Sequence, residues 1–217
     1  MKRKYSGPAP VVDAARALAK AYPDAHCELN FTGPFELLVA TVLSAQTTDA
    51  RVNTVTPQLF NKFPTPAKMA VADVSELEDI VRPLGLFRRR AAALQKLAEL
   101  LVENFGGQVP KTIKALTSLP GVGRKTANVV RGNCFGESAI TVDVHVGRVV
   151  RRLGWSTNKD PLKVEKDLDA LLETDWTQLC HELIWHGRRC CHSRNPECGR
   201  CPLLRYCPQI GVCEDDR

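Results

Sequence analysis

The sequence predicts an all-α protein, and three observations carry that reading. Apolar residues recur at helical spacing in nearly every segment. Cap and stop residues bracket those segments, with Asp160-Pro161 opening one and Gly106-Gly107 closing another. The one alternating stretch, Ile140-Thr141-Val142-Asp143-Val144-His145-Val146, finds no second strand to pair with. A lone strand would leave its amides unbonded.

Taken in order, residues 11–22 place Val11, Ala15, Leu18 and Tyr22 on one helical face, with Asp13, Arg16 and Lys20 elsewhere. From Phe35 to Ala45 the chain is apolar nearly all round, the pattern of a central buried helix. Residues 48–62 and 73–82 follow as amphipathic helices. Phe87, Ala91, Leu94, Ala98 and Leu101 line a longer one that ends at Gly106-Gly107. A helix over 112–118 runs into a Pro-Gly-x-Gly turn, and a second starts near Gly123. From Asp143, read as an N-cap, Val146, Val149 or Val150, and Leu153 again fall at helical spacing. Asp160-Pro161 opens a helix to about Glu173, and another spans about 176–187. On the residues alone, the cysteine-rich tail reads as a separate small lobe.

Composition narrows the class. The chain has 217 residues, 44% hydrophobic, 25% charged and 6% aromatic, which excludes collagen, coiled-coil and disordered readings. A chain of this length buries roughly 70% of its unfolded surface, enough for one large domain or two small ones. No apolar run is long enough for a transmembrane helix. The basic start Met1-Lys2-Arg3-Lys4 has no apolar stretch behind it and is not read as a secretory signal. A net charge of +6 permits a nucleic-acid partner without demonstrating one.

Seven of the nine cysteines lie between Cys180 and Cys213. The odd count and missing export signal argue against a disulfide framework and for metal ligation. One subset is regularly spaced, Cys191-x6-Cys198-x2-Cys201-x5-Cys207, with Pro196, Gly199, Pro202 and Pro208 to supply turns. Four thiolates suit tetrahedral zinc or a cubane iron–sulfur cluster. Zinc sites usually pair two C-x2-C knuckles, and only one occurs here, which favours iron–sulfur. Cys190 could compete as a ligand; spacing selects Cys191.

The most informative stretch is Leu119-Pro120-Gly121-Val122-Gly123-Arg124-Lys125-Thr126-Ala127. Two glycines allow close backbone approach, and the amides of the following helix start point out of the turn. Such amides make an anion site that suits a phosphodiester and grips it without reading bases. Lys125 stands in the first turn, where the helix dipole and Arg124 both disfavour a cation. That is the environment a nucleophilic amine requires. Asp143 supplies a carboxylate that either accepts protons and stabilises positive charge on a sugar or serves only as a helix cap.

The hairpin from Leu119 to Val130, the Val142-Asp143-x-His145 segment and the cysteine tail together resemble the endonuclease III family of the helix-hairpin-helix glycosylase superfamily. The resemblance covers essentially the whole chain, from Phe35-Glu36-Leu37-Leu38 through Leu43-Ser44-Ala45-Gln46 to Cys207. It implies an all-α fold of two helical lobes flanking a DNA-binding groove, with a C-terminal iron–sulfur cluster loop. Residues 30–139 would form a six-helix domain carrying the helix-hairpin-helix motif. Residues 1–29 and 140–217 would form the domain with the cluster. The implied activity is a DNA glycosylase and abasic-site lyase of base excision repair. Such an enzyme removes oxidised pyrimidines from duplex DNA and nicks the abasic strand by β-elimination through a Schiff base.

The same resemblance assigns roles. Lys125 matches the Schiff-base nucleophile and Asp143 the catalytic carboxylate. Leu119, Gly121, Gly123 and Arg124 fall in the DNA-binding hairpin. Gln46 and Leu86 match residues that fill the duplex after a base is flipped out. Cys191, Cys198, Cys201 and Cys207 match the ligands of a 4Fe-4S cluster that shapes a DNA-binding loop and does no redox chemistry in strand cleavage. The partner is double-stranded DNA with damaged pyrimidines or abasic sites, the protein a monomer without a membrane role, and the location cytoplasmic, at the nucleoid of a bacterium.

Two departures stand out. Arg88-Arg89-Arg90 forms a block after Leu86, and Arg148, Arg151 and Arg152 crowd the helix after Asp143. Each reads as a solvated face or as extra phosphate contacts. A sister glycosylase that removes adenine opposite oxidised guanine typically lacks the lysine and carries a further domain after the cysteines. Lys125 and the 10 residues beyond Cys207 separate this chain from it. A zinc-holding DNA-binding module without enzymatic activity is the alternative from another class, and the colour of the pure protein separates the two.

Overall fold

The computed structural model describes residues 7–171 and 175–212, and every regular element among them is helical. The chain forms α1 (Val11–Ala21), α2 (Pro34–Leu43), α3 (Asp49–Lys62), α4 (Pro66–Ala70) and α5 (Val74–Val81). A 3₁₀ turn at Arg82–Leu84 leads into α6 (Phe87–Phe105), α7 (Ile113–Thr117) and α8 (Arg124–Phe135). Then come α9 (Val144–Arg152), α10 (Pro161–Asp169), α11 (Trp176–Arg189) and a 3₁₀ turn at Cys198–Arg200. Helix α10 stops at Asp169, short of the expected end at Glu173, which lies outside the described residues. Helix α4 is an addition to the expected set, started by Pro66 at its first position and the Thr65 hydroxyl accepting from the Lys68 amide.

Two compact units divide the chain. One is Cys27–Glu137 and holds α2 to α8; the other joins the segment up to His26 with that from Ser138 onward. In the first, α2 is apolar on all sides and fully buried along Leu37, Leu38, Val39, Ala40 and Leu43. It packs against α3 and α8, while α6 packs against α4 and α5. Truncating a leucine such as Leu38 to alanine in so closed a core costs about 2–5 kcal/mol. Helix α6 ends where Gly106 turns left-handed (φ 58°) and the Gly107 amide donates back to the Leu101 carbonyl at 2.8 Å.

The second unit has its own core, built from Leu18 of α1, Val146, Val149 and Val150 of α9, and Leu179 and Leu183 of α11. The alternating stretch is helical from Val144, with Asp143 as its N-cap. Once wound, the helix buries Val146, Val149 and Val150, which a strand period would have split between two faces, and leaves Val144 exposed. The segment before α1 is tied in from both ends, the Ala9 amide donating to Leu153 O and the Trp155 indole donating to Ala9 O, each at 2.8 Å. The cysteine tail belongs to this unit and is not a lobe of its own. Leu203 is buried in the shared core, with Cys191, Cys201, Tyr206 and Cys207 packed against it. No helix among the described residues is long and apolar enough to cross a membrane.

Candidate functional site

The hairpin of the first unit is anchored from within. Leu119 and Val122 are buried in the core, and the Val122 amide donates to Leu119 O at 3.2 Å, closing the turn. Leu119 therefore reaches a ligand through its backbone at most, since its side chain is 3% exposed. Gly121 adopts φ 76°, and a Cβ there would stand 3.1 Å from Val42 Cγ1. Both facts demand glycine. Gly123 differs, because its φ of −86° suits any residue and a Cβ would meet nothing within 4 Å.

Gly123 is the N-cap of α8 and brings no side chain to the first-turn amides. Helices α3, α5, α7, α9, α10 and α11 all begin with a Thr or Asp side chain that accepts such an amide. The amides of Lys125 and Thr126 thus lie at an uncapped helix start, where an anion is favoured. Arg124 and Lys125 are both exposed. The Lys125 amine forms no hydrogen bond or ion pair among the described residues, so its lone pair is open to a substrate once deprotonated.

Two further candidates sit on turns of the same unit. Gln46 follows α2 at φ 63°, and Leu86 precedes α6 at φ 49° and is 60% exposed. A leucine that exposed is no core residue. The residue that joins these turns is Arg90. Its Nη1 donates to Leu43 O at 2.6 Å, Nη2 to Ala45 O at 2.8 Å and Nε to Gly85 O at 2.9 Å. The arginine block is accordingly not uniform. Arg88 and Arg89 are exposed, Arg88 lying over the Phe87 ring, but Arg90 is buried and contacts only backbone carbonyls. The phosphate-contact and solvated-face readings both fail for Arg90, because it is buried and three of its five N–H donors go to backbone carbonyls.

In the second unit Asp143 caps α9, its Oδ1 accepting from the His145 and Val146 amides at 2.8 Å each. Its other oxygen carries no hydrogen bond among the described residues. His145 beside it is held below its ordinary pKa, first by burial and then by the guanidiniums of Arg148 and Arg188, against the pull of Asp143.

The cysteines converge. Cys190, Cys191, Cys198, Cys201 and Cys207 line one cavity of the second unit, which Val149, Leu153, Leu203 and Val212 close with apolar surface. Every described cysteine is a free thiol. Arg152, only 7% exposed, lies against this cavity, with Nη1 3.2 Å from Cys191 Sγ and 2.6 Å from His192 O. Its Nη2 donates to Ser193 O at 3.1 Å. Arg148 donates through Nε to Cys191 O at 3.0 Å and through Nη2 to Gly187 O at 2.8 Å. Arg151 reaches Asn158 O. Arg148 and Arg152 hold the tail to α9 and α11, and are not the solvated or phosphate-binding face that their crowding suggested; Arg151 ties the end of α9 to the connection before α10.

His186 completes the surroundings. Tyr22 Oη lies 3.0 Å from its Nδ1, and Cys201 Sγ lies 3.6 Å from its Nε2. Burial, helped by Arg148, pushes the imidazole down to about 4, so it is neutral at pH 7. With Tyr22 donating, the Nε2 proton points at the sulfur. His186, Cys190 and Cys201 bring ligand atoms within 4.8 Å of one another, so Cys190 is a buried member of the cluster that spacing set aside. Burial also pushes the Cys207 thiol up to about 11. A metal group would displace such protons. Thiols gathered in an apolar cavity beside a guanidinium suit the thiolate ligation and negative charge of an iron–sulfur cluster.

Sequence reasoning missed Arg90, Arg148 and Arg152 as positioning groups, missed His186, and read Tyr22 only as part of an apolar helix face. Each acts across distant segments, and the only available signal was arginine density on helices that also carry a buried apolar face.

Comparison with known proteins places this geometry. A family model described as HhH-GPD superfamily base excision DNA repair protein matches residues 39–174. A second, the iron-sulfur binding domain of endonuclease III, matches residues 191–207. Endonuclease III of Synechocystis sp. is 46% identical over 193 residues, 88% of each chain. Endonuclease III of Bacillus subtilis is 47% identical over 188 residues, 86% of each. A solved structure of a trapped endonuclease III–DNA covalent intermediate superposes with a TM-score of 0.84 at 46% identity, covering 91% of this chain and 93% of that one. With a glycine hairpin, a helix-capping aspartate and a cysteine loop inside the matched segments, the chain belongs to the endonuclease III family.

Proposed function

We propose that this chain is a bifunctional DNA glycosylase and abasic-site lyase of base excision repair. It removes oxidised pyrimidines from duplex DNA and then cleaves the abasic strand by β-elimination. The observation that carries the reading is Lys125, an exposed amine without a partner in the first turn of a helix that glycine caps. A relative of the same fold trapped covalently on DNA supports a nucleophile of this kind.

Gly121 lets the turn close, and the uncapped amides beyond Gly123 hold a backbone phosphate, with Arg124 adding charge. Gln46 and Leu86 enter the duplex as the lesion leaves the stack, a step that costs a few kcal/mol and least for damaged bases. Lys125 Nζ attacks C1′, the C1′–N bond breaks, and the base departs with a proton. Loss of the amine's protons and opening of the sugar ring leave an imine. A proton then leaves C2′ and the C3′–O bond breaks, which cuts the strand. Asp143, with one oxygen fixed by two amides and the other open, stabilises positive charge on the sugar or accepts protons.

Cys191, Cys198, Cys201 and Cys207 hold the 4Fe-4S cluster, and the family match running from residue 191 to 207 supports that choice over Cys190. Bound there, the cluster supplies a structural cross-link for the tail. The helix-hairpin-helix domain of 30–139, which carries the seven helices α2 to α8, and the domain of 1–29 with 140–217 act on DNA as a monomer in the cytoplasm, at the nucleoid in a bacterial cell. Borohydride should trap the protein covalently on an abasic duplex, and Lys125→Ala should abolish the adduct. A trapped adduct in that variant would remove Lys125 from its role.

A further inference from the structure

Gln46 and Leu86 belong to different turns, forty residues apart in sequence, and both hold left-handed backbone that non-glycine residues rarely adopt. Left to themselves, two such turns would relax and move independently. Arg90 bonds to both turns. Arg90 is the fourth residue of α6, and its amide closes that helix's first turn by donating to Leu86 O at 3.0 Å. Its Nε donates to Gly85 O, so both peptides of the Gly85-Leu86 turn are bonded to this one residue. The two terminal nitrogens reach across to Leu43 O and Ala45 O, on either side of Ser44 and just before Gln46.

The chemistry suits arginine. Leu43 ends α2, so its carbonyl is among those the helix leaves unbonded and stands at the negative end of the helix dipole. A guanidinium neutralises that end and satisfies two carbonyls with one rigid plane, a geometry that lysine cannot copy. Burial costs the cation solvation, which the three carbonyls offset. A parallel tie runs from Arg51 Nη2 to Pro83 O at 2.8 Å, joining the start of α3 to the 3₁₀ turn.

We infer that Arg90 is a positioning residue that makes Gln46 and Leu86 one rigid two-pronged wedge, so that the two enter the duplex together. The inference rests on the proposed duplex-filling role of Gln46 and Leu86. It differs from that role in requiring the prongs to be energetically coupled through a residue that itself touches no DNA.

The test is a double-mutant cycle on the cluster-loaded protein. Base flipping is read by the fluorescence of 2-aminopurine paired opposite or stacked next to an abasic analogue. Gln46→Ala, Leu86→Ala and the pair are compared in the native and Arg90→Met backgrounds, with the midpoint of thermal unfolding as a check on folding. In the native background the two effects should be non-additive by about fivefold or more, the range of coupled neighbours. In Arg90→Met the coupling should fall within about twofold, as for independent sites. Arg90→Lys, which keeps the charge and loses the fork, should resemble Arg90→Met, and it serves in its place if the methionine variant unfolds. Coupling that persists in a folded Arg90 variant, or that is absent in the native background, overturns the inference while leaving the prongs their roles. If neither Gln46→Ala nor Leu86→Ala changes flipping, the duplex-filling reading itself fails.

Discussion

Nη1 of Arg152 lies 3.2 Å from Sγ of Cys191 and 2.6 Å from the His192 carbonyl, so one buried guanidinium grips both a thiol and the backbone that presents it. The Arg152 carbonyl in turn accepts from the Ile210 amide at 3.2 Å, which ties the far side of the tail to the end of α9. Arg152→Met keeps that backbone bond and should loosen the loop at its Cys191–Ser193 side. Stability should fall by about 1–2 kcal/mol, the cost of removing a charged donor from the part-buried His192 and Ser193 carbonyls. Bleaching of the visible absorbance by an iron chelator should become several-fold faster. An unchanged bleaching rate in a folded Arg152→Met protein would show that the cluster alone holds the loop.

Asp143 has two separable duties, and the asparagine variant divides them. Asparagine caps a helix about as well as aspartate, so Asp143→Asn should unfold within about 0.5 kcal/mol of the native protein. Asp143→Ala should lose about 1 kcal/mol through the missing cap. Both should slow turnover on an oxidised-pyrimidine duplex by about a hundredfold or more, the scale of a lost acid–base or charge-stabilising group. Single-turnover cleavage beside urea unfolding measures the two effects. Native turnover in Asp143→Asn would leave the residue a cap and nothing else.

The two hairpin glycines should respond in opposite ways. Gly121→Ala forces a side chain onto a left-handed backbone and against Val42 Cγ1 at 3.1 Å. It should cost about 1–2 kcal/mol of stability, and Val42→Ala in the same chain should return only the steric part. Gly123→Ala meets no protein atom, so stability should hardly move. DNA affinity should fall, because the new methyl stands where a phosphate would approach the α8 amides. Calorimetry and fluorescence anisotropy give the two readouts. Loss of stability without loss of affinity in Gly123→Ala would take that glycine out of the interface.

These contrasts mark what the sequence makes legible. Helix periods, the Asp143 cap, the glycine hairpin and the cysteine spacing are short-range features, each written within one or two turns of chain. The lack of a strand partner, with Val146, Val149 or Val150, and Leu153 at helical spacing, decided helix over strand, and the structure buries Val146, Val149 and Val150 together. The arginines were not legible. Arg90 and Arg152 resemble Arg88 and Arg89 in sequence, and only distant carbonyls at Leu43, Ala45, His192 and Ser193 distinguish them. The left-handed turns at Gln46 and Leu86 were invisible for a related reason. Non-glycine residues adopt that backbone only where tertiary contacts hold it, and the residue that holds both is Arg90.

Glu182 offers a pH test with a definite sign. It lies on α11, 5% exposed, with its carboxyl held above the ordinary 4.5 by burial and by the negative charge of Asp175. The Gln178 amide, which donates to Oε1 at 3.4 Å, offsets this only in part. Below about pH 4.5 the folded and unfolded chains both keep the proton, and the group costs nothing. As pH rises, the unfolded chain releases it first, so stability falls through the window above 4.5 and the full cost stands at neutral pH. Glu182→Gln removes the titration and keeps the shape. Its urea midpoint should exceed that of the native protein at about pH 7.5 and converge with it near about pH 4.5. A difference that grows as pH falls would mean that the Glu182 carboxylate is stabilised, not penalised, by its surroundings on α11.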